Sequence, residues 1–356
     1  MSRLFIVDDS PTARFVLRRL LEAEGLSVVG EASDRRTALP LLERLRPDLV
    51  LLDVYLEDDS GFDVAREIKQ TVGTPILVVT GVDPDDEGKV FRALQAGALD
   101  IAPKPPARAH PSHASEVARL IAQIRSLLSA SRVAASLPAP PPIPASPPTT
   151  PAPSASAPRA WAPPPNPVVV LGASTGGPSV LRSIVAGLPA GLGTSIVVAH
   201  HIGSGFTEPF ARWLSEETAL SVVVVGEERH LEPDTLYLAP DWGHIEVTSH
   251  RTVGAARGVA SEITRPSVDR LFTSAAQHLG PAALAIVLTG MGRDGSEGML
   301  ALAEAGARCV AQAPSTCVVA SMPQAVLKIG RAVKALTPAE IVDEIIAHGR
   351  GRGAKG

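Results

Sequence analysis

The stretch SRVAASLPAPPPIPASPPTTPAPSASAPRAWAPPPNP, positions 131–167, restricts the fold more than any other, because 14 of the chain's 33 prolines fall in it. With almost no charge and few large apolar groups it cannot build a core, and it reads as an extended, semi-rigid, disordered spacer. The chain is therefore expected to divide into a unit over 1–130, the linker 131–167, a second unit over 168–347 and a flexible basic tail over 348–356. A length of 356 residues suits two domains of ordinary size.

Composition removes several classes of function. The hydrophobic fraction is 45% and the formal net charge −4, a balance that gives no reason to expect nucleic-acid binding. The two cysteines, Cys309 and Cys317, are too few for a disulfide scaffold and read as core thiols. MSRLFIVDDS meets charged residues after one short apolar run, unlike a secretory signal. No apolar run approaches the roughly 20 residues that span a bilayer, so the expectation is a soluble, cytoplasmic protein without membrane insertion.

Before the linker, LFIV, LSVV, DLVLLD and PILVVT read as buried strands, and PTARFVLRRLLEAE, RRTALPLLERL, DEGKVFRALQA and HASEVARLIAQIRSLL as helices. This alternation argues for α/β architecture, a doubly wound parallel sheet whose sites gather at the carboxyl ends of its strands. Asp8 and Asp9 end the first strand, Asp53 the third and Thr80 the fourth, and Lys104 follows the fifth. Three carboxylates, a hydroxyl and an ammonium then share one crevice. Such oxygen ligands suit Mg²⁺, which would screen a phosphoryl group as an aspartate oxygen attacks phosphorus. One aspartate alone would only cap a turn; five polar groups at successive strand ends make a site.

This pattern resembles the response-regulator receiver domain over about positions 3–128, which implies a flavodoxin-like fold. The resemblance makes Asp8, Asp9 and Asp53 the metal ligands, Asp53 the phosphoacceptor, and Thr80 and Lys104 the phosphoryl contacts. It also implies a cis bond before Pro105. Leu56 and Glu57 stand where that family usually has Met-Pro, and Glu57, Asp58 and Asp59 add acids beside the site.

After the linker, PVVVLGASTGGPSVL reads as strand, tight turn and helix. Gly172-Ala173-Ser174-Thr175-Gly176 matches G-x-S-x-G, a turn that exposes a serine hydroxyl, although a glycine turn before a helix can equally cradle phosphate. A nucleophilic serine needs a base and a group to orient it. His200 and His201 end the next strand, TSIVVAH, and Asp294 sits in the loop TGMGRDG past the strand LAIVL. The order Ser–His–Asp differs from that of the α/β-hydrolases. Asp294 could instead cap its own helix, and Arg265–Asp269, RPSVD, could line a cleft or cap the helix it opens. His230, His244 and His278 show no metal spacing.

GASTGG at 172–177, HHIGSGFT at 200–207, LYLAP at 236–240, RPSVDRLFTSAA at 265–276, TGMGRDG at 289–295 and CVVASMPQAV at 317–326 resemble the methylesterase domain of chemotaxis response regulators over about 166–347. The resemblance implies a Rossmann-like catalytic domain with no cofactor of its own. It makes Ser174 the nucleophile, His201 the base and Asp294 the orienting acid, with backbone N–H groups at Thr175 and Met291 as oxyanion donors. His200-His201-Ile202-Gly203 replaces the family's Gln-His-Met-Pro, Asp241-Trp242-Gly243-His244 varies a glycine-aspartate loop, and Ala313 follows Gln312 where an acid is usual.

The function implied is a phosphorylation-activated protein-glutamate methylesterase and protein-glutamine glutaminase. It would act on chemoreceptor cytoplasmic helices, with a histidine kinase as phosphodonor, as a monomer. The receiver would cover the catalytic cleft until phosphorylated, with inhibition weakened by the long linker. The alternative is an inactive receptor-binding adaptor. A nucleotide-binding reading lacks the P-loop lysine, and a DNA-binding output lacks a compact basic helical reader.

Overall fold

Short apolar runs become strands here because helices cover both faces of each sheet. The strand Leu49–Leu52 reads LVLL and Ala283–Val287 reads ALAIV, and every residue of both is buried. The computed structural model describes residues 2–57, 61–81, 89–136, 167–258 and 264–350. No helix among the described residues is long and apolar enough to cross a membrane.

The first unit runs β1 (Arg3–Val7), α1 (Pro11–Ala23), β2 (Ser27–Ala32), α2 (Arg35–Leu45), β3 (Leu49–Leu52), α3 (Gly61–Thr71), β4 (Ile76–Thr80), α4 (Arg92–Gln95), β5 (Asp100–Pro103) and α5 (His113–Ser136). Its strands are all parallel in the order β2-β1-β3-β4-β5, the flavodoxin-like order. Helix α3 was not among the expected elements. Expected helix 86–96 becomes a 3₁₀ turn at Lys89–Phe91 followed by α4, with its first residues outside the described ones. Helix α5 continues to Ser136, into the stretch read as linker. Residues 137–166 of that stretch, the tail after 350, and Asp58 and Asp59 lie outside the described residues. The one cis peptide among the described residues precedes Pro266, so the bond before Pro105 is trans, contrary to the resemblance.

The second unit runs β6 (Val168–Ala173), α6 (Gly177–Ala186), β7 (Ser195–His200), α7 (Thr207–Glu217), β8 (Ser221–Val224), β9 (Arg229–His230), β10 (Thr235–Leu238), β11 (Gly243–Ser249), β12 (Thr252–Arg257), α8 (Val268–His278), β13 (Ala283–Val287), α9 (Ser296–Glu304), β14 (Arg308–Gln312), α10 (Ser321–Leu327), β15 (Lys334–Leu336) and α11 (Pro338–Gly349). Seven parallel strands stand in the order β15-β14-β13-β6-β7-β10-β8, and β11-β12-β9 form a small antiparallel sheet. Strand order reverses at β6, between β13 and β7. A crevice must therefore open at the carboxyl ends of those strands, where doubly wound folds place their ligands.

The first unit packs on that crevice through α4, β5 and α5. Phe91, fully buried, stacks on Trp213 of α7 at 5.2 Å and lies 5.2 Å from Phe210. Arg119 Nη1 donates to the Ile202 carbonyl at 2.9 Å, and Gln95 Nε2 to Glu217 Oε1 at 2.9 Å. Val319, beside α10, joins the buried cluster of Leu120, Ile121 and Ile124. The buried aromatic contact and the Val319 cluster remove apolar surface from water and favour docking, while the exposed Gln95–Glu217 contact adds little.

Candidate active site and phosphoacceptor crevice

On the first sheet the strand ends converge as the alternation requires. Asp8 and Asp53 are buried, and Thr80 is fully so. Lys104 Nζ lies 2.5 Å from Asp53 Oδ2 and 2.7 Å from Asp8 Oδ2, and Thr80 Oγ1 donates to Asp53 Oδ1 at 2.6 Å. Burial works to lower the Lys104 pKa, but hydrogen bonds to Asp53 and Asp8 hold it above its ordinary value. Burial raises Asp8, with Lys104 opposing. Carboxylate oxygens of Asp8, Asp9 and Asp53 come within 4.8 Å of one another. An all-oxygen, anionic donor set of that span fits a hard divalent cation such as Mg²⁺.

On the second sheet, Ser174 follows β6 and its N–H donates to the Thr289 carbonyl at 3.0 Å, tying the turn to the loop after β13. Two glycines make this possible. Gly176, at φ +77°, starts α6 from the left-handed region. At Gly290, an added Cβ would lie 2.7 Å from Ser174 Cβ, closer than packed atoms approach. The N–H groups of Thr175, next to Ser174, and of Met291, in the loop after β13, donate to no other described residue.

His201 follows β7, its N–H bonded to the Ala173 carbonyl at 3.0 Å, and its Nε2 meets Asp294 Oδ2 at 2.8 Å. The structure thus joins His201 to Asp294. It forms no hydrogen bond between Ser174 Oγ and His201. Ser174 is only 8% exposed. Asp100 Oδ2 of β5 reaches its turn, accepting from Gly176 N at 3.2 Å.

Asp294 does not cap its own helix, where Gly295 holds the N-cap position. It caps α8 instead, accepting from Val268 N at 2.8 Å and Asp269 N at 2.9 Å. Asp269 returns the arrangement by accepting from Gly298 N of α9 at 2.7 Å. Burial alone would raise Asp294, but the His201 hydrogen bond and charge, with the α8 N–H donors, hold it at about 2. Burial pushes Asp269 up to about 6, opposed by Gly298 N–H and assisted by the charge of Asp294.

His200 is separated from this chemistry. Its ring is buried, packs 5.4 Å from Phe210 and against Gly177, and burial drives its pKa down to about 3. A ring that stays neutral does not compete with His201 for Asp294. Asp241 Oδ2 accepts from Gly205 N at 2.7 Å and Oδ1 bonds the Thr207 hydroxyl, fixing the loop that carries His201. Trp242 is 45% exposed, with Arg257 over its ring at 5.6 Å.

Sequence reasoning missed three supporting residues. Gln312 Oε1 accepts from Thr289 N at 2.8 Å and its Nε2 donates to the Thr316 carbonyl at 2.9 Å. Ser267 Oγ donates to Asp294 Oδ1 at 3.2 Å, and its N–H donates to His244 Nδ1 at 2.9 Å. A polar residue closing an apolar strand was the available signal for Gln312. RPSVD, read as a possible cap, does place Ser267 at the N-cap of α8, but the bonds from Ser267 to Asp294 and His244 join segments distant in sequence and left no signal.

As a class, this is a receiver-type sheet docked on a hydrolase-type sheet. Residues 169–345 match the family described as CheB methylesterase, and residues 4–112 the response regulator receiver domain. The protein-glutamate methylesterase/protein-glutamine glutaminase 3 of Anaeromyxobacter dehalogenans is 39% identical, over 97% of this chain and 98% of its own length. The form numbered 4 in Geobacter metallireducens is 37% identical over 96% and 97%. The CheB methylesterase catalytic domain of Thermotoga maritima aligns at 31% identity with a TM-score of 0.49, covering 51% of this chain and 97% of that one. The chain belongs to the CheB methylesterase family, with a response-regulator receiver preceding the catalytic domain. It is an enzyme of that family.

Proposed function

We propose that this enzyme hydrolyses glutamyl methyl esters on the cytoplasmic helices of chemoreceptors, releasing methanol, and deamidates glutamine there by the same attack on an amide. The domains would span 1–130 and 168–347, the protein would work as a cytoplasmic monomer, and a histidine kinase would supply the phosphoryl group. The observation that carries this reading is the pairing of His201 Nε2 with Asp294 at the switch point beside the Ser174 turn. The relatives named above supply the substrate class.

With Nε2 held by Asp294, Nδ1 is the nitrogen left to serve Ser174. His201 takes the Ser174 proton as Oγ bonds to the ester carbon. The Thr175 and Met291 N–H groups, lacking other acceptors, stabilise the oxyanion, a contribution near 3 kcal/mol per donor. Imidazolium returns the proton to the departing methoxide, giving methanol and an acyl-enzyme. Water, deprotonated by His201, then cleaves the acyl bond to leave a glutamate carboxylate and free Ser174.

The docked receiver excludes a receptor helix from Ser174. Asp8, Asp9 and Asp53 would hold Mg²⁺, which when bound supplies charge screening for phosphoryl transfer. Asp53 accepts the phosphoryl group, and Thr80 and Lys104, both now bonded to Asp53, move to its oxygens. That rearrangement alters β5 and loosens the interface.

Methanol release from methylated receptor fragments tests the reading in wild type and Ser174→Ala, each with and without Mg²⁺ and a small phosphodonor. Release should vanish in Ser174→Ala and rise with phosphodonor. No release from wild type on several fragments would leave a receptor-binding adaptor.

A further inference from the structure

Asp294 does not hold His201 unaided. Besides His201 Nε2, its carboxylate accepts from Ser267 Oγ, Val268 N and Asp269 N, all at the start of α8. Ser267 is itself fixed from two directions. Its Oγ accepts from Arg270 N at 3.3 Å, which leaves the hydroxyl hydrogen for Asp294. Its N–H donates to Nδ1 of His244, a fully buried ring on β11. A plain helix cap needs only the Arg270 contact. The bond to Asp294 and the buried imidazole behind it go beyond capping.

We propose that Ser267 and His244 are positioning residues for the reaction: they lock the first turn of α8 so that its donors share the Asp294 carboxylate with His201. Ser267 acts through Asp294, and His244 acts through Ser267. Neither touches substrate. The inference rests on the reading of His201 as the base for Ser174.

Sharing has a directional consequence. Each donor on a carboxylate draws charge from its other bonds. Removing the Ser267 hydroxyl leaves more charge facing His201, so the imidazolium is favoured and His201 titrates at higher pH. The titratable groups facing Asp294 are His201 from the end of β7 and Asp269 from α8, while His244 faces Ser267 from β11 and exposed Arg293 precedes Asp294 in its loop.

The test uses the full chain and two readouts: the NMR titration of the His201 ring, and methanol release with saturating phosphodonor. In Ser267→Ala the His201 midpoint should move upward, since the carboxylate keeps more charge for its remaining partner. kcat should fall about tenfold at neutral pH with KM unchanged. Ser267→Thr retains the hydroxyl and should restore both. Ser267→Gly removes it while keeping a residue tolerated at a helix N-cap, and serves if the alanine variant does not fold. His244→Asn, whose Oδ1 can replace Nδ1 as acceptor, should stay near wild type, whereas His244→Leu should repeat Ser267→Ala. An unchanged His201 midpoint and kcat in Ser267→Ala or Ser267→Gly, with only a lower Tm, would overturn the proposal and leave a cap. If wild type releases no methanol, the ester substrate fails, yet the His201 midpoint still decides this point.

Discussion

Asp100 of the receiver and Gly176 of the catalytic turn share a hydrogen bond of 3.2 Å, two residues past Ser174. The carboxylate also accepts from Gln123 Nε2 at 2.6 Å and is buried. One carboxylate thus ties the receiver sheet to the turn that carries Ser174.

This contact gives docking a pH dependence. Burial pushes Asp100 up to about 7 from 3.8, against the Ile101, Gln123 and Gly176 donors. A carboxyl raised by docking favours the docked form fully below its ordinary value, and that support is lost as pH rises through about 7. The ratio of unstimulated to phosphodonor-stimulated methanol release should climb as pH rises toward about 7 and then level. Asp100→Asn should flatten the curve, and Asp100→Ala should raise unstimulated release several-fold at all pH values. A wild-type ratio that ignores pH would remove Asp100 from the gate.

Gly290→Ala should silence the enzyme without unfolding it. The new Cβ would press on Ser174 Cβ and the Met322 sulfur, displacing the hydroxyl. A shift of roughly 1 Å in a reacting atom costs about 10²-fold in rate. The check is kcat together with Tm; full activity would show that the turn relaxes freely.

Asp53→Asn should keep unstimulated release and lose its response to phosphodonor. It removes the acceptor while Thr80 and Lys104 retain an amide partner in place of the carboxylate. Thr80→Ala should still incorporate phosphate yet respond weakly, because the hydroxyl that bonds Asp53 Oδ1 is gone. Labelled phosphate uptake beside methanol release separates the two.

Asp269 predicts an unusual stability profile. Its raised pKa means that its contribution is complete below its ordinary value and is lost as pH rises through about 6. Wild type should therefore gain Tm relative to Asp269→Asn on going from neutral pH to about pH 5, a comparison that cancels the opposite acid loss from His200, held neutral with its pKa at about 3. Asp269→Asn, which can still accept from Gly298 N and carries no charge toward Asp294, should show no such gain and should match or exceed wild type at neutral pH. Asp294 works in the opposite sense: its lowered pKa gives support present above 3.8 and lost as pH falls through about 2.

The parallel strands were legible because burial on both faces leaves uninterrupted apolar runs, and the polar residues ending those runs marked Asp8, Asp53, Thr80 and Ser174. Helix α2 matched its expected limits, Arg35–Leu45, where a strong apolar stripe coincides with an Asp34 cap. Helix α3 escaped because two of its four buried positions, Gly61 and Ala65, carry almost no apolar area. The role of Asp294 was half legible. Its place in a strand-end loop was visible, but the α8 donors it accepts from lie 25 and 26 positions away, beyond any local pattern. The packing of Phe91 against Trp213 was invisible for the same reason, since nothing in either segment records the other.

The exchange of carboxylates between α8 and α9 makes Asp294 a joint as well as a reagent. Any replacement there frees the first turn of α8 along with His201, so a silent Asp294 variant reports lost architecture together with lost chemistry. Ser174, whose hydroxyl bonds no described side chain, is the position where reactivity can be removed and the rest of the molecule left as it was. An inert protein for trapping receptor complexes is best made at Ser174.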